Sequence, residues 1–246
     1  MLLTMTQTTR LNKYLAAAGI ASRRGAEDII AQGRVQINHI TVTSPAIAVH
    51  HTDQVSVDGV IIRSIAEPKI WRYHKPVGLI CSHADPQGRP TIFEHLPKNL
   101  GRVMSVGRLD LNSEGLLLLT NNGDISRYLE HPSNQISRHY KVRIHGVPSR
   151  ETLRCIKNGV TIDGIAYQGA NVKIIKQTQG TNCWIHITLH EGKNREIRKI
   201  FQHFGHHVSR LIRTSYGEFE LGELLQTEVM QVSKHDVATL YKKINS

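Results

Sequence analysis

At residues 63–69, Arg-Ser-Ile-Ala-Glu-Pro-Lys, the hydrophobic pattern of this chain changes character. Before that segment, apolar residues recur at helical spacing and then in short paired runs. After it, strand-like alternation is interleaved with helical stretches. Pro68 cannot sit inside a continuing helix, because its ring fixes φ and it has no N–H to donate. The segment therefore reads as a linker between two domains, residues 8–66 and 70–246.

In the first domain Leu11, Leu15 and Ala18 mark one face of a helix that Gly19 can end. Ser22 can cap a second helix running to Gln32, with Gly33 as its stop. Two short hairpins follow, Val35–Ile37 with Ile40–Val42 around Asn38-His39, and Val55–Val57 with Val60–Ile62 around Asp58-Gly59. Arg10, Lys13, Arg23, Arg24 and Arg34 are concentrated on the helical part. Such charges often do no more than solvate a surface face.

Beyond residue 70, Ile70–His74, Val103–Val106, Leu116–Thr120, Tyr140–Ile144, Cys183–Leu189 and Val208–Ile212 are candidate strands. Ser149–Lys157, Asn194–Phe204 and Lys234–Ile244 are candidate helices, the last opened by Ser233 and Asp236 in capping-box register. This order predicts an α+β fold, a mixed and largely antiparallel sheet with flanking helices.

The 31 Lys and Arg against 20 Asp and Glu give a net charge of +11, which favours a polyanionic partner. Nucleic acid comes first; no stretch approaches the ~18 apolar residues of a membrane span. The start, MLLTMTQTTR, lacks the basic end and apolar run of a secretory signal, so a cytoplasmic protein is expected. Cys81, Cys155 and Cys183 are far apart and odd in number, which suggests neither a disulfide framework nor a zinc site. His190-Glu191-Gly192-Lys193-Asn194 begins like a zinc-protease motif but lacks the second His.

Asp110 follows an apolar strand and Gly107-Arg108 and precedes the run Leu116–Leu119. A loop Asp is commonly a turn residue, but Arg108 offers a guanidinium to keep such a carboxylate ionised. An ionised carboxylate can act as a nucleophile or stabilise a developing sugar cation. In the helix from Asn194, Ile197, Ile200, Phe201 and Phe204 form the core stripe. Helical geometry then sets Arg195 and Lys199 opposite the stripe, suited to phosphates, and Arg198 at its edge, able to reach a pocket. On the following strand Leu211 shares a face with Ser209 and Arg213, as the wall of a base pocket would. Tyr140 begins an alternating strand and, on pattern alone, reads first as an ordinary core aromatic.

The run LNKYLAAAGIASRRGAEDIIAQGRVQIN resembles the S4 RNA-binding domain. The segments YHKPVGLICSHADPQGRPTIFEHLP, VGRLDLNSEGLLLLTNNGD, RHYKVRIHG and HEGKNREIRKIFQHFGHHVSRLIRTSYGEFEL resemble, in order, the motifs of S4-domain ribosomal RNA pseudouridine synthases. The resemblance covers residues 8–222 and implies an S4-type domain followed by a pseudouridine synthase domain. It makes Asp110 the catalytic aspartate and Arg198 the arginine that pairs with it. Arg108 becomes a nucleotide or phosphate contact, Tyr140 the tyrosine that packs on the target base, and Leu211 the apolar wall of the uracil pocket. Lys13, Arg23, Arg24 and Arg34 would then face folded RNA. Ser113 stands where Thr is commoner and keeps a hydroxyl; Asn122 stands where Asp is frequent, in a turn.

The implied reaction isomerises a uridine to pseudouridine without metal or cofactor, and Asp110 could either attack the sugar or remove a ribose proton. The DPQGRPT stretch and the EGKNREIR motif look closest to the branch acting on a stem-loop of large-subunit ribosomal RNA. The small-subunit branch is the runner-up, and the substrate is naked RNA or an assembly intermediate, met by a monomer. A non-catalytic S4-type binding protein would carry the same basic faces. It would, however, be free to lose one of Asp110, Tyr140 and Arg198, and all three are present.

Overall fold

A computed structural model of the chain describes residues 8–62, 66–177 and 182–245. The leading MLLTMTQ and Arg63–Ile65, on which the leader reading and the first part of the linker reading fall, lie outside the described residues; Ala66–Lys69 carries no helix or strand. The chain divides into two compact units. One runs up to Pro68 and includes Asn121–Gly123, and the other comprises Lys69–Thr120 with Asp124 onward.

In the first unit helices Leu11–Ala17 and Arg23–Ala31 pack on a four-stranded antiparallel sheet. Ser22 Oγ accepts the Gly25 N–H at 2.9 Å and so satisfies one of the donors a helix start leaves free. In the sheet Val35–Ile37 and Val55–Val57 are central, flanked by Ile40–Val42 and Val60–Ile61. Both hairpin turns, Asn38-His39 and Asp58-Gly59, take positive φ at both positions, the geometry that matches strand twist. Leu11, Leu15, Ala26, Ile30, Val35, Val49 and Val55 form the core.

In the second unit the described residues form a nine-stranded mixed sheet. Its main path runs Asn171–Gln177, Asn182–Leu189, Arg138–His145, Val208–Tyr216, Glu114–Thr120, Ile70–Lys75, Val229–Gln231. Among these pairings only Val208–Tyr216 with Glu114–Thr120 is parallel. Glu114–Thr120 is buried along its whole length: Leu117 and Leu119 belong to one core cluster, Leu116 and Leu118 to another. A strand covered on both faces reads as an unbroken apolar run, as this one does. Helices Arg150–Asn158 and Glu196–His203 supply Ile156, Ile197, Ile200 and Phe201 to the first cluster. Helices Gly123–Glu130 and Lys234–Asn245 supply Ile125, Leu129, Val237 and Leu240 to the second.

The parallel junction sets Ile212 against Glu114 and Arg213 against Gly115. Gly115 sits at φ +107°, and a Cβ there would lie 2.3 Å from the Arg213 carbonyl oxygen. No other residue lets these backbones approach so closely. The junction ties the strand that follows the Asp110 loop to the strand that carries Leu211.

Candidate active site

Asp110 lies in the loop between strand Met104–Val106 and strand Glu114–Thr120. The loop is held from beneath by Lys75, a lysine with no solvent exposure. Its Nζ donates to the carbonyl oxygens of Pro76 (2.9 Å), Asp110 (3.2 Å) and Ser113 (2.9 Å). Burial pushes the Lys75 pKa down, partly offset by the Asp110 and Glu114 charges. The Leu111 carbonyl accepts the Gly78 N–H at 2.8 Å, and the Ser113 N–H closes the turn on the Asp110 carbonyl at 3.0 Å. With its backbone so fastened, the Asp110 carboxylate opens into a cavity of about 720 Å³, within the ~300–1,000 Å³ usual for ligand sites.

The cation nearest this carboxylate differs from the one expected. Arg195 Nη1 is 4.0 Å from Asp110 Oδ2, and Arg195 lines the cavity. Neither Arg108 nor Arg198 makes an ion pair with Asp110 within that distance, although Arg108 also lines the cavity. Arg198 is half-buried and sends Nη1 to the Val208 carbonyl (2.9 Å) and Nη2 to the Asn112 carbonyl (2.7 Å), two residues past Asp110. Its Nε is buried without a hydrogen-bond partner. Burial and the neighbouring Arg195 lower its pKa, and the Asp110 charge opposes them. The reason for the exchange is local. The helix begins at Glu196, and Arg195 is its left-handed N-cap at φ 53°, ψ 31°, so helical periodicity does not apply to Arg195. Lys199 is half-buried and is not part of the cavity wall.

Tyr140 (8% exposed) and Leu211 (6%) both line the cavity. Leu211 pairs with Val142, and Tyr140 stands two residues from Val142 on the same strand. The two side chains therefore rise from one face of the sheet as diagonal neighbours, and form an adjoining floor rather than opposed walls. Arg138 and Arg213 complete that side of the cavity. Their guanidinium carbons lie 4.7 and 4.9 Å from the Tyr216 ring centre. Arg138 donates to the Tyr216 hydroxyl at 2.9 Å, and Arg213 Nε to the Leu116 carbonyl at 2.7 Å.

Lys75, Arg138, Arg213 and Glu196 are site residues that sequence reasoning passed over. Lys75, Arg138 and Arg213 share a signal, a charge on the buried parity of a strand, as Lys75 follows Trp71 and Tyr73 and Arg138 precedes Tyr140, Val142 and Ile144; Glu196, on the first turn of a helix, does not carry it. A charge at such a position is kept only if the fold supplies partners. Among the described residues no group of three or more His, Cys, Asp or Glu is gathered to hold a metal. No described helix is long and apolar enough to cross a membrane.

In the first unit Arg23 and Arg24 are exposed and Lys13 is half-exposed. Arg34 differs, because it is bound in bidentate fashion to Asp58, Nε to Oδ1 at 2.9 Å and Nη2 to Oδ2 at 2.5 Å, across the hairpin base. It acts first as a brace between strands.

The model of the RNA pseudouridylate synthase family matches residues 69–203, and that of the S4 domain residues 9–55. The chain belongs to the RNA pseudouridylate synthase family, with an S4 domain preceding the catalytic domain. It is 51% identical over 225 residues to an "Uncharacterized RNA pseudouridine synthase" of Rickettsia bellii, covering 92% of this chain and 97% of that one. It is 43% identical over 221 residues to "Ribosomal large subunit pseudouridine synthase B" of Haemophilus influenzae, covering 86% of this chain and 61% of the relative. A crystal structure of a pseudouridylate synthase superposes with a TM-score of 0.67 at 26% identity, covering 94% of this chain and 99% of that one.

Proposed function

We propose that this enzyme isomerises one uridine in a stem-loop of large-subunit ribosomal RNA, and that Asp110 is its catalytic residue. The observation that carries the assignment is the Asp110 carboxylate, open to the cavity on a loop fastened by Lys75 and Arg198, with Arg195 beside it. The target nucleotide leaves its stack at a cost of roughly a few kcal/mol, offset by contacts in the cavity. Asp110 acts on the ribose and the N1–C1′ bond breaks. The uracil turns on the floor made by Tyr140 and Leu211, C5 bonds to C1′, and the C5 proton leaves as N1 gains one. Tyr140 lies against the base, near enough to assist that proton transfer. Because substrate and product are isomers, no oxidant or group donor is consumed.

Arg108 and Arg195 hold the phosphates and the charge around Asp110, while Arg198 serves by anchoring the Asn112 carbonyl. Lys13, Arg23 and Arg24 of the S4 domain grip folded RNA, with Arg34 and Lys199 at the margin of that contact. The name of the Haemophilus relative supports the large-subunit choice. We place its action in the cytoplasm, where ribosomal RNA is made, as a monomer on naked RNA or an assembly intermediate.

The test uses large- and small-subunit ribosomal RNA transcripts, carbodiimide labelling and primer extension. The intact enzyme marks one uridine in the large-subunit transcript. Asp110→Asn loses at least ~10³-fold in rate while keeping RNA affinity within a few fold. Modification by the variant at the wild-type rate would sink the assignment of Asp110, and a stop only in the small-subunit transcript would move the substrate to that branch.

A further inference from the structure

Arg195 occupies the left-handed region, at φ 53° and ψ 31°. A side chain with a Cβ stays there only where its surroundings hold it. The hold comes from the next residue. Glu196 is 3% exposed and turns its carboxyl back, so that Oε2 accepts the Lys193 N–H at 3.0 Å. Its own N–H donates to the Lys193 carbonyl at 3.2 Å. The Lys193 ammonium is tethered in turn to Glu191 Oε2 and to the Ala166 carbonyl, each at 2.5 Å. Glu191 Oε1 accepts the Gln168 N–H at 2.7 Å. The segment Glu191–Arg195 is thus stapled to the end of strand Ile165–Tyr167, and the turn it makes ends with Arg195 at 4.0 Å from Asp110.

We propose that Glu196 is a positioning residue for the isomerisation: its buried carboxyl locks the Lys193–Arg195 turn that delivers the Arg195 guanidinium to Asp110. The proposal rests on Asp110 being the catalytic residue. The device works with Glu196 in its protonated form. Burial, and then the adjacent Glu191 carboxylate, push the Glu196 pKa up to about 8. Hydrogen bonds from Lys193 and the Gln168 N–H outweigh burial at Glu191 and keep its pKa low. Glu196 Oε1 is buried without a partner, and a proton there gives it a donor to turn toward Glu191. The other charged groups of this corner are Lys193 and Arg195 on the loop, Arg198 and Lys199 on the helix, Arg138 from the sheet beside Gly192, and the Asp110 carboxylate 4.0 Å from Arg195. Loss of the proton leaves two carboxylates side by side with a single tethered ammonium at hand. The turn then loosens, and Arg195 leaves Asp110.

Because the folded-state pKa is raised, the stability Glu196 contributes is full below the ordinary carboxyl value of 4.5 and falls as pH rises through about 8. The experiment measures single-turnover pseudouridylation, RNA affinity and thermal midpoint between about pH 6 and 9.5 for the wild type, Glu196→Gln, Glu196→Ala and Asp110→Asn. In the wild type the rate at saturating RNA falls on the alkaline side with a midpoint near 8, and KM stays within about threefold. Glu196→Gln keeps the amide acceptor without the titrating proton, so it retains the neutral rate and lacks the alkaline fall. Glu196→Ala loses at least ~10-fold at every pH with RNA affinity kept. An alkaline fall in Glu196→Gln identical to that of the wild type would overturn the proposal, as would a full neutral rate in Glu196→Ala. If Glu196→Ala does not fold, the Gln variant alone decides. Asp110→Asn remaining active would instead defeat the assignment of Asp110, whatever the Glu196 variants show.

Discussion

Lys75 Nζ reaches the carbonyl oxygen of Asp110 at 3.2 Å from a side chain wholly out of solvent. A buried ammonium is costly unless each of its protons meets an acceptor, and here three carbonyls take them. The lysine therefore converts its own desolvation into the fixed position of the loop.

Lys75→Met retains the stem but leaves those carbonyls without a donor. The loss is about 2–4 kcal/mol of stability, from charge-assisted bonds and unsatisfied acceptors. Urea unfolding should show a lower midpoint with an unchanged slope. Single-turnover rate should fall further than RNA affinity, because the loop carrying Asp110 loses its support. A variant with wild-type midpoint and rate would contradict the role of Lys75.

Arg195 and Arg198 should separate chemistry from stability. Arg195→Met removes an exposed guanidinium whose side chain pairs with Asp110, so the rate should fall by about 10²-fold with stability within ~0.5 kcal/mol. Arg198→Met removes two short bonds to carbonyls, and should cost about 2–3 kcal/mol of stability. Thermal midpoints and single-turnover rates of both variants check this, and equal profiles would show that the two arginines form one functional unit.

Much of this arrangement was readable from local pattern. The run Leu116–Leu119 announced a strand buried on both faces, and Ser22, Asp58-Gly59 and Ser233 marked caps and turns where the structure has them. Asp110, Tyr140 and Leu211 do meet in one cavity. What could not be read depends on partners distant in sequence. Arg198 and its acceptor Asn112 are 86 residues apart, and periodicity says nothing of which carbonyl a guanidinium will find. Arg195 falls outside the helical pattern because, as a left-handed N-cap, it delays the helix start to Glu196, two residues past the Asn194 that the pattern suggests. The strands Asn171–Gln177 and Val229–Gln231 and the helix Gly123–Glu130 escape the local pattern, the first strand because Ile174-Ile175 breaks its alternation at an irregular pairing and the second because it is only three residues long.

Gly115 tests the parallel junction directly. Gly115→Ala would bring a Cβ to 2.3 Å from the Arg213 carbonyl oxygen and 2.7 Å from the Arg213 nitrogen, both backbone atoms that cannot swing away. Overpacking and the disfavoured φ together should cost about 3–5 kcal/mol. The Asp110 loop and the Leu211 strand would separate, so activity should be lost even at temperatures where the variant stays folded. Circular dichroism melts paired with primer-extension assays give both quantities, and an active variant of near-native midpoint would show that the two strands can part without cost to the site.

The S4 domain should reveal its RNA face through salt. Arg23→Gln with Arg24→Gln removes two exposed charges at the start of the second helix. If both contact phosphates, the slope of log affinity against log salt should drop by about 1.4–1.8, since each contact releases about 0.7–0.9 of a counterion. Arg34→Gln should behave differently. Its guanidinium is held by Asp58 across the hairpin, so its removal should move the slope by less than about half a unit. A solvent-exposed pair of this kind adds little net stability, so the fold should survive the change. Fluorescence anisotropy with a labelled ribosomal RNA stem-loop between about 50 and 300 mM salt distinguishes the two. A slope unchanged by the double substitution would remove Arg23 and Arg24 from the RNA contact, and a large change from Arg34→Gln would mean that RNA draws Arg34 away from Asp58.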